Sequence, residues 1–383
     1  MFRWLLACLL ALAPMVASAQ QVDPHFKIEK LADGVFAAVR TDPPGWGANA
    51  NNLFIIDDDG VVVVDTNFGP SSTKDVLKAL RGLTDKPVRF VINTHWHDDH
   101  VLGNQVYRDA FPGVQFIAHA ATREYLPGKG LEARKQMMQG APNFANDLRG
   151  FLKSGKSPSG GDLTAEERAA FESDVAMIDR YAADIPSFDV VLPTITVEDK
   201  LTLYRGSGEA KSSPNGSGDP KGSPYGSGGA KASPGSRAIV IQSVGAGHTA
   251  GDLVVHLPAE GILATGDLVV APIPLVGGDQ SHIAAWIGAL DRISALRATT
   301  ILPGHGPVMH DDSYVKQMAG AFRAIKDYVD AAVARGETLE QIQKTIKLDE
   351  WREKFAGDSS LRRAVFRNYL VGPAVIAAYR EAK

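Results

Sequence analysis

Three imidazoles and a carboxylate crowd into six residues, His95, His97, Asp99 and His100, inside the run Asn93-Thr94-His95-Trp96-His97-Asp98-Asp99-His100. Neutral imidazole nitrogen and carboxylate oxygen are preferred donors for zinc. In an extended stretch the i, i+2 spacing puts the rings of His95 and His97 on one side of the backbone. Asp99 and His100 then project across the following turn towards a second position. Three more donors stand in similar settings, each directly after an apolar strand and beside glycine: His248 in Gly247-His248-Thr249-Ala250-Gly251-Asp252, Asp267 in Thr265-Gly266-Asp267, and His305 in Pro303-Gly304-His305-Gly306. A neighbouring glycine lets the backbone turn tightly and bring the donor close. His25, His119, His256, His282 and His310 lack that setting and are read as surface or packing residues.

The elements that must carry these donors follow from periodicity. Val35 to Val39 reads as a first strand, and the apolar runs Asn52 to Asp57 and Val61 to Asp65, separated by Asp58-Asp59-Gly60, read as a β-hairpin. A helical period from Ser72 to Leu83 leads into a buried strand, Val88 to Asn93, which delivers the histidine box. A helix near Leu102 to Ala110 and a strand from Val114 to Ala118 repeat the pattern. A second set of strands is expected at Asp189 to Val197, Leu201 to Tyr204, Ala238 to Val244, Leu253 to Leu257 and Gly261 to Ala264, with a further strand at Thr299 to Leu302. The Gly-rich loop Pro43 to Asn51, with Trp46 at its tip, is a candidate to cover the site.

Between these strands the period turns helical from Ala120 to Ile185, with Leu131 to Leu152 and Thr164 to Ala183 as helices, the second opening on the capped start Thr164-Ala165-Glu166-Glu167. Residues 206–235 are three tandem ten-residue units, GSGEAKSSPN, GSGDPKGSPY and GSGGAKASPG. Units so rich in Gly, Ser and Pro bury too little apolar surface to offset chain entropy, so a flexible loop is expected rather than a solenoid. Helices close the chain: Ser281 to Leu296, Tyr314 to Arg335, Leu339 to Ile346, and two shorter pieces ending at Ala382. The expected organisation is a main domain over 20–310, carrying a helical insertion at 120–186 and the repeat loop at 206–236, followed by a helical extension at 311–383.

The first nineteen residues form a leader: Arg3, an apolar run from Trp4 to Val16, then the small residues Ala17-Ser18-Ala19. The run is shorter than the about 20 apolar residues of a membrane span. Cleavage after Ala19 and a periplasmic or secreted destination are expected, with no integral span left in the mature chain. Cleavage also removes Cys8, the single cysteine, so any metal must be held by His and carboxylate. A formal net charge of -4 over 383 residues, with no basic stripe, argues against nucleic acid as a partner. A small-molecule substrate is the expected partner, and oligomeric state is not legible.

The HxHxDH box, the later Gly-His-Thr, the Gly-Asp and the Pro-Gly-His-Gly, in that order, resemble the metallo-β-lactamase superfamily, and specifically its glyoxalase II-like branch of zinc metallohydrolases. The resemblance implies an α/β fold, a four-layer αββα sandwich with metals at the edge of two sheets. Carried over, it implies that His95, His97 and His248 bind one zinc, that Asp99, His100 and His305 bind a second, and that Asp267 bridges them. Asp65 corresponds to a buried carboxylate that orients a ligand loop from behind. Lactamases of the standard subgroups usually have Cys or Ser at the position of Asp267, and lactonases carry Tyr where this chain has Val270. Both dedicated activities are thereby weakened. The implied chemistry is hydrolysis of an amide, lactam, ester or thioester, with two zinc ions lowering the pKa of a water to about 7 and Asp99 accepting or relaying the proton as the catalytic group. The rivals are a persulfide-dioxygenase-like enzyme using one iron and a non-catalytic accessory protein of a periplasmic oxidase system.

Overall fold

A computed structural model describes residues 25–45, 49–205, 236–277 and 280–383. The leader, Trp46 and the ten-residue repeats lie outside the described residues. Seven strands form the first sheet in sequence order: β1 (Phe26–Ala32), β2 (Val35–Arg40), β3 (Asn52–Asp57), β4 (Gly60–Val64), β5 (Val88–Ile92), β6 (Gln115–His119) and β7 (Ile195–Val197). The first four pair antiparallel, and β4 to β7 run parallel. The second sheet contains β8 (Lys200–Arg205), β9 (Arg237–Gln242), β10 (Val254–Leu257), β11 (Ile262–Ala264) and β12 (Thr300–Leu302), in the order β12-β11-β10-β9-β8.

Alternation along the strands shows how the layers stack. In β4, Val62 and Val64 face the second sheet, where they meet Ile241, Val255 and Ile262 in one core. Val61 and Val63 face the other way, towards Val76, Leu80 and Tyr107 on helices. Leu263 and Ile301 of the second sheet likewise turn outward, against Trp286, Leu290 and Phe322. Strands buried on both faces carry almost unbroken apolar runs, and the result is the expected αββα sandwich.

The helices over the first sheet are α1 (Pro70–Leu83), α2 (Asp98–Val101) and α3 (Asn104–Ala110). The insertion consists of α4 (Ala120–Tyr125), α5 (Lys129–Ser154) and α6 (Ala165–Asp184). The C-terminal half supplies α7 (Ile283–Ala295), α8 (Ser313–Ala334), α9 (Leu339–Thr345), α10 (Asp349–Ala356), α11 (Ser360–Val365) and α12 (Gly372–Glu381), with a π-helical turn at Phe366–Val371 between the last two. Leu148 of α5 and Phe171 of α6 share a core with Phe355, Phe366 and Leu370, so the inserted helices pack on the C-terminal ones. Among the described residues no helix is long and apolar enough to cross a membrane.

Two strand assignments change. The stretch Asp189 to Val197, read as part of the second set, contributes only Ile195–Val197, and these pair parallel with β6 at the edge of the first sheet. Strand β1, absent from the sequence reading, pairs with β2 through Phe26↔Arg40 to Lys30↔Phe36. Its residues are only partly buried, so its hydropathy does not stand out.

Helix α6 starts as its sequence suggests: Thr164 accepts from the Glu167 amide, and the Glu167 side chain accepts from the Thr164 amide. Losing such a cap costs about 1 kcal/mol. Thr164→Ala should therefore lower Tm by a few degrees in thermal denaturation, with metal content unaffected, because α6 carries none of the seven donors.

Candidate metal centre

All seven expected donors end at one edge of the sandwich. His95, His97, Asp99 and His100 follow β5, His248 follows β9, Asp267 lies in a short 3-10 turn, Gly266–Leu268, after β11, and His305 follows β12. The structure gathers them into two groups, His95, His97, His248 and Asp267 in one and Asp99, His100 and His305 in the other.

In the first group His97 Nδ1 lies 3.1 Å from His95 Nε2 and 2.8 Å from His248 Nε2, and Asp267 Oδ2 lies 3.5 Å from His248 Nε2 and 3.9 Å from His95 Nε2. In the second, His100 Nε2 is 3.2 Å from both Asp99 Oδ2 and Asp267 Oδ1, and His305 Nε2 is 3.1 Å from Asp99 Oδ2 and 3.3 Å from Asp267 Oδ1. Asp267 thus turns one oxygen to each group. Four ligands at 2.0–2.1 Å around a tetrahedral zinc would stand about 3.3 Å apart, and the observed separations straddle that value.

The far nitrogens fix the tautomers. His248 Nδ1 donates to the Leu275 carbonyl at 3.0 Å, His305 Nδ1 to the Asn49 carbonyl at 3.0 Å, and His100 Nδ1 to Asp65 Oδ2 at 2.8 Å. Thr94 Oγ1 donates to Asp65 Oδ2 at 2.8 Å, which leaves it to accept from His95 Nδ1 at 3.1 Å. In the first group these bonds leave the His95 and His248 Nε2 lone pairs turned towards the same nitrogen of His97. Without a cation, His97 Nδ1 can meet them only as one N–H shared between two acceptors, whereas a cation among the three nitrogens would take all three lone pairs. In the second group His100 Nε2 and Asp267 Oδ1 are both buried without a hydrogen-bond partner, although 3.2 Å apart. The donor set and its unpartnered atoms fit two divalent cations, and outer bonds of this kind are what tune such ligands.

Glycines allow the close packing. A Cβ on Gly304 would fall 2.0 Å from Asp267 Oδ1, and one on Gly266 would fall 2.4 Å from Thr94 Oγ1. Asp65 itself ends β4 at φ 58, a left-handed conformation that Asp tolerates better than most residues. That turn lets Oδ1 accept from the Thr94 amide while Oδ2 serves Thr94 Oγ1 and His100.

The electrostatics divide the cluster. Burial, then neighbouring imidazoles, push His95 well below the usual 6.5 and bring His97 to about 3, and burial lowers His248. All three are neutral donors. Burial opposes protonation of His305 and His100 as well, yet Asp267 and Asp99 hold His305 up at about 10, and Asp99, Asp65 and Asp267 hold His100 well above 6.5. Against burial, the same imidazoles hold Asp99 and Asp267 well below 3.8. In the metal-free chain the raised imidazoles contribute stability that is complete below about pH 6.5 and lost as pH rises through about 10. The depressed carboxylates contribute stability present above about pH 3.8 and lost on stronger acidification. Because His95, His97 and His248 stay neutral in the fold, their lowered affinity for protons takes stability away as pH drops below about 6.5, so metal-free protein should be most stable near pH 6.5, with Tm falling both towards pH 4 and towards pH 10. Zinc-loaded protein should lose less over the same alkaline span, because metal replaces those protons. Melting curves with and without chelator check this, and a flat metal-free profile from pH 6.5 to 10 would contradict the assignment.

Residues outside the seven hold the centre in place. Asp252 accepts from the Gly247 amide and from both the amide and hydroxyl of Thr249, which pins the His248 turn. Asn51 Nδ2 donates to the carbonyls of Pro303 and Gly306, clamping the His305 turn. The Tyr369 carbonyl, in the π-helical turn, accepts from the Val276 amide, next to the Leu275 carbonyl that orients His248. Arg134 of α5 donates from Nε and Nη2 to Asp98 Oδ1 at 2.9 and 2.7 Å, a buried pair beside Asp99. Sequence reading missed Arg134. Its signal was a cation on the same helical face as Ala141, Ala145 and Leu148, the face that turns inward. The loop Pro43 to Asn51 does reach the centre through Asn49 and Asn51. Of the other histidines, His282 is exposed at the start of α7, and His119 accepts from the Ala121 amide at the start of α4.

Asp99, Asp267 and His305 also line a cavity of about 880 Å³, enclosed by residues of the insertion, of the C-terminal helices and of the segment from Val270 to Gly277.

Over 305 residues the chain is 21% identical to a protein named linear primary-alkylsulfatase from Pseudomonas sp., a match covering 77% of this chain and 48% of that one. It is 36% identical over 85 residues to a hydroxyacylglutathione hydrolase of Gloeobacter violaceus, covering 21% of this chain and 32% of that protein. The chain thus spans about half or less of the length of these relatives. A metallo-beta-lactamase structure from Pontibacter korlensis aligns with 78% of this chain and 99% of its own, at 17% identity and a TM-score of 0.47. The family pattern described as "Metallo-beta-lactamase superfamily" matches residues 46–305, which include all seven donors. The chain belongs to the metallo-β-lactamase superfamily.

Proposed function

We propose that the protein is an exported binuclear zinc hydrolase that cleaves an amide or lactam, ester or thioester bond. The observation that carries this reading is the split carboxylate of Asp267, with one oxygen facing His95 and His248, whose group also holds His97, and the other facing His100 and His305. His95, His97, His248 and Asp267 would hold one zinc, and Asp99, His100, His305 and Asp267 the other. When bound, such a pair supplies an activated water near neutral pH and positive charge to polarise a carbonyl. Asp99 reaches the cavity as an ionised carboxylate, placed to accept or relay a proton as a bond is attacked. Asp65 keeps His100 in the tautomer that presents Nε2. The relatives include proteins named for hydrolysis, a hydroxyacylglutathione hydrolase and an alkylsulfatase. Export rests on the leader, and amino-terminal sequencing of periplasmic protein should begin at Gln20.

Metal analysis together with a panel of chromogenic lactam, ester, lactone and thioester substrates tests the function. About two zinc per chain with turnover of one class supports it. One iron per chain with oxygen consumption on a persulfide supports the dioxygenase rival, and retained metal without turnover supports an accessory protein. His95→Ala should lower both zinc content and hydrolysis, and an unchanged variant would overturn the assignment.

A further inference from the structure

The cavity beside the donor cluster is larger than cleavage of a small polar bond requires. Its volume of about 880 Å³ is near the top of the usual range for small-molecule sites. Away from the metal centre its walls are apolar: Met137, Ala141 and Phe144 from α5, Met177 and Ile178 from α6, and Val365 from α11. Met137 and Phe144, with Ala141 between them on one face of α5, remain 45% and 39% exposed, and contiguous exposed apolar surface marks a ligand or partner site. An aliphatic occupant would cover it.

A second, independent observation concerns polar atoms. Arg134, Tyr181 and Trp96 all line this cavity, and all are at least nine-tenths buried, with 3%, 2% and 5% of their surface exposed. Arg134 Nη1, Tyr181 Oη and Trp96 Nε1 have no hydrogen-bond partner among the described residues. Arg134 Nη1 and Trp96 Nε1 can only donate, and leaving buried donors unmet is costly. Asp98 already balances the Arg134 charge through Nε and Nη2, so what remains unmet is a buried N–H donor on a residue of the cavity wall. Such a set asks for an acceptor-rich head group, a carboxylate or ester carbonyl, placed at the metal end of an apolar chamber.

We infer that the centre acts on single-chain amphiphiles, acyl compounds whose aliphatic tail lies between the inserted and C-terminal helices and whose carbonyl or carboxylate head is received by Arg134 and Tyr181. This assignment of substrate class rests on the hydrolase reading above. The π-helical turn between α11 and α12 fits it, because the same C-terminal segment walls the cavity through Val365 and Tyr369 and ties down the loop that orients His248.

The test pairs a rate series with a binding measurement on the full zinc-loaded chain. Across p-nitrophenyl acetate, butanoate, hexanoate and octanoate, kcat/KM should climb about twofold to fourfold per added methylene, the gain expected when each becomes buried. Met137→Asp and Phe144→Asp, at positions exposed enough to leave folding intact, should flatten that climb. In parallel, 11-(dansylamino)undecanoic acid should bind, and dodecanoate but not acetate should displace it. Arg134→Gln should weaken dodecanoate at least tenfold and dodecan-1-ol much less. Hydrolysis with a flat chain-length series and no probe binding overturns the inference while leaving the hydrolase standing. Probe binding displaced by dodecanoate, without turnover of any ester, supports the amphiphile cavity and sinks the hydrolase reading. Equal weakening of dodecanoate and dodecan-1-ol overturns the role given to Arg134.

Discussion

Asp267→Ala is expected to strip metal from both positions at once and to lower turnover by more than about 100-fold, beyond the 10–100-fold typical of losing an outer partner of a ligand. The reason lies in its two oxygens. Oδ2 completes the group of three neutral imidazoles, and Oδ1 stands against His100 and His305. Removing the carboxylate takes one donor from each site. It also takes away the buried negative charge that faces two imidazoles otherwise held protonated in the metal-free chain. Metal analysis alongside melting curves separates these effects: zinc content should fall well below two per chain, and the metal-free variant should melt lower than metal-free wild type near pH 6. Full retention of both zinc ions would show that Asp267 does not join the two groups.

Gly304→Ala should do comparable damage with one added methyl group. The new carbon would lie 2.0 Å from Asp267 Oδ1, 2.8 Å from the Gly266 carbonyl carbon and 3.0 Å from the Asp267 amide nitrogen. Two of those three atoms are backbone, so no rotamer change relieves the clash, and the Gly304 amide bonds to the Gly266 carbonyl at 2.9 Å would have to stretch. Overpacking of this kind costs about 1–3 kcal/mol. Here the displaced atoms include the Asp267 carboxylate that faces both donor groups, so metal content and turnover should fall together with Tm. Gly150→Ala, on α5 with nothing within 4 Å of the added carbon, is the matched control. It should stabilise by about 0.5–1 kcal/mol through helix propensity. If the two variants behaved alike, the tight approach of the Gly304 and Gly266 turns would not matter to the centre.

The seven candidate donors that the fold gathers were legible in the chain because their signal is local. Rare residue types sit at strand ends beside glycine, and a strand end is visible as the point where an apolar run stops. The same locality made the Thr164 capping box and the Asp58-Asp59-Gly60 hairpin readable. Strand β1 and the sheet membership of Ile195–Val197 were not readable, because hydropathy tells that a segment is buried and not which strand it pairs with. The Arg134–Asp98 pair, the Asp252 anchor, and the Leu275 and Asn49 carbonyls escaped for a related reason. Arg134 and Asp98 lie 36 positions apart, and His305 and Asn49 lie 256 apart, and nothing in either partner alone announces the other.

Amino-acid order by itself thus determined which side chains could grip metal and which elements would end beside them, because donor chemistry and strand periodicity are written within a few residues. Only the folded chain decided that one carboxylate would face two donor groups, that each ring would present a chosen nitrogen, and that inserted and terminal helices would enclose an apolar chamber over the centre. Those outcomes depend on distances between segments far apart along the chain, and such distances exist only once the sheets have packed.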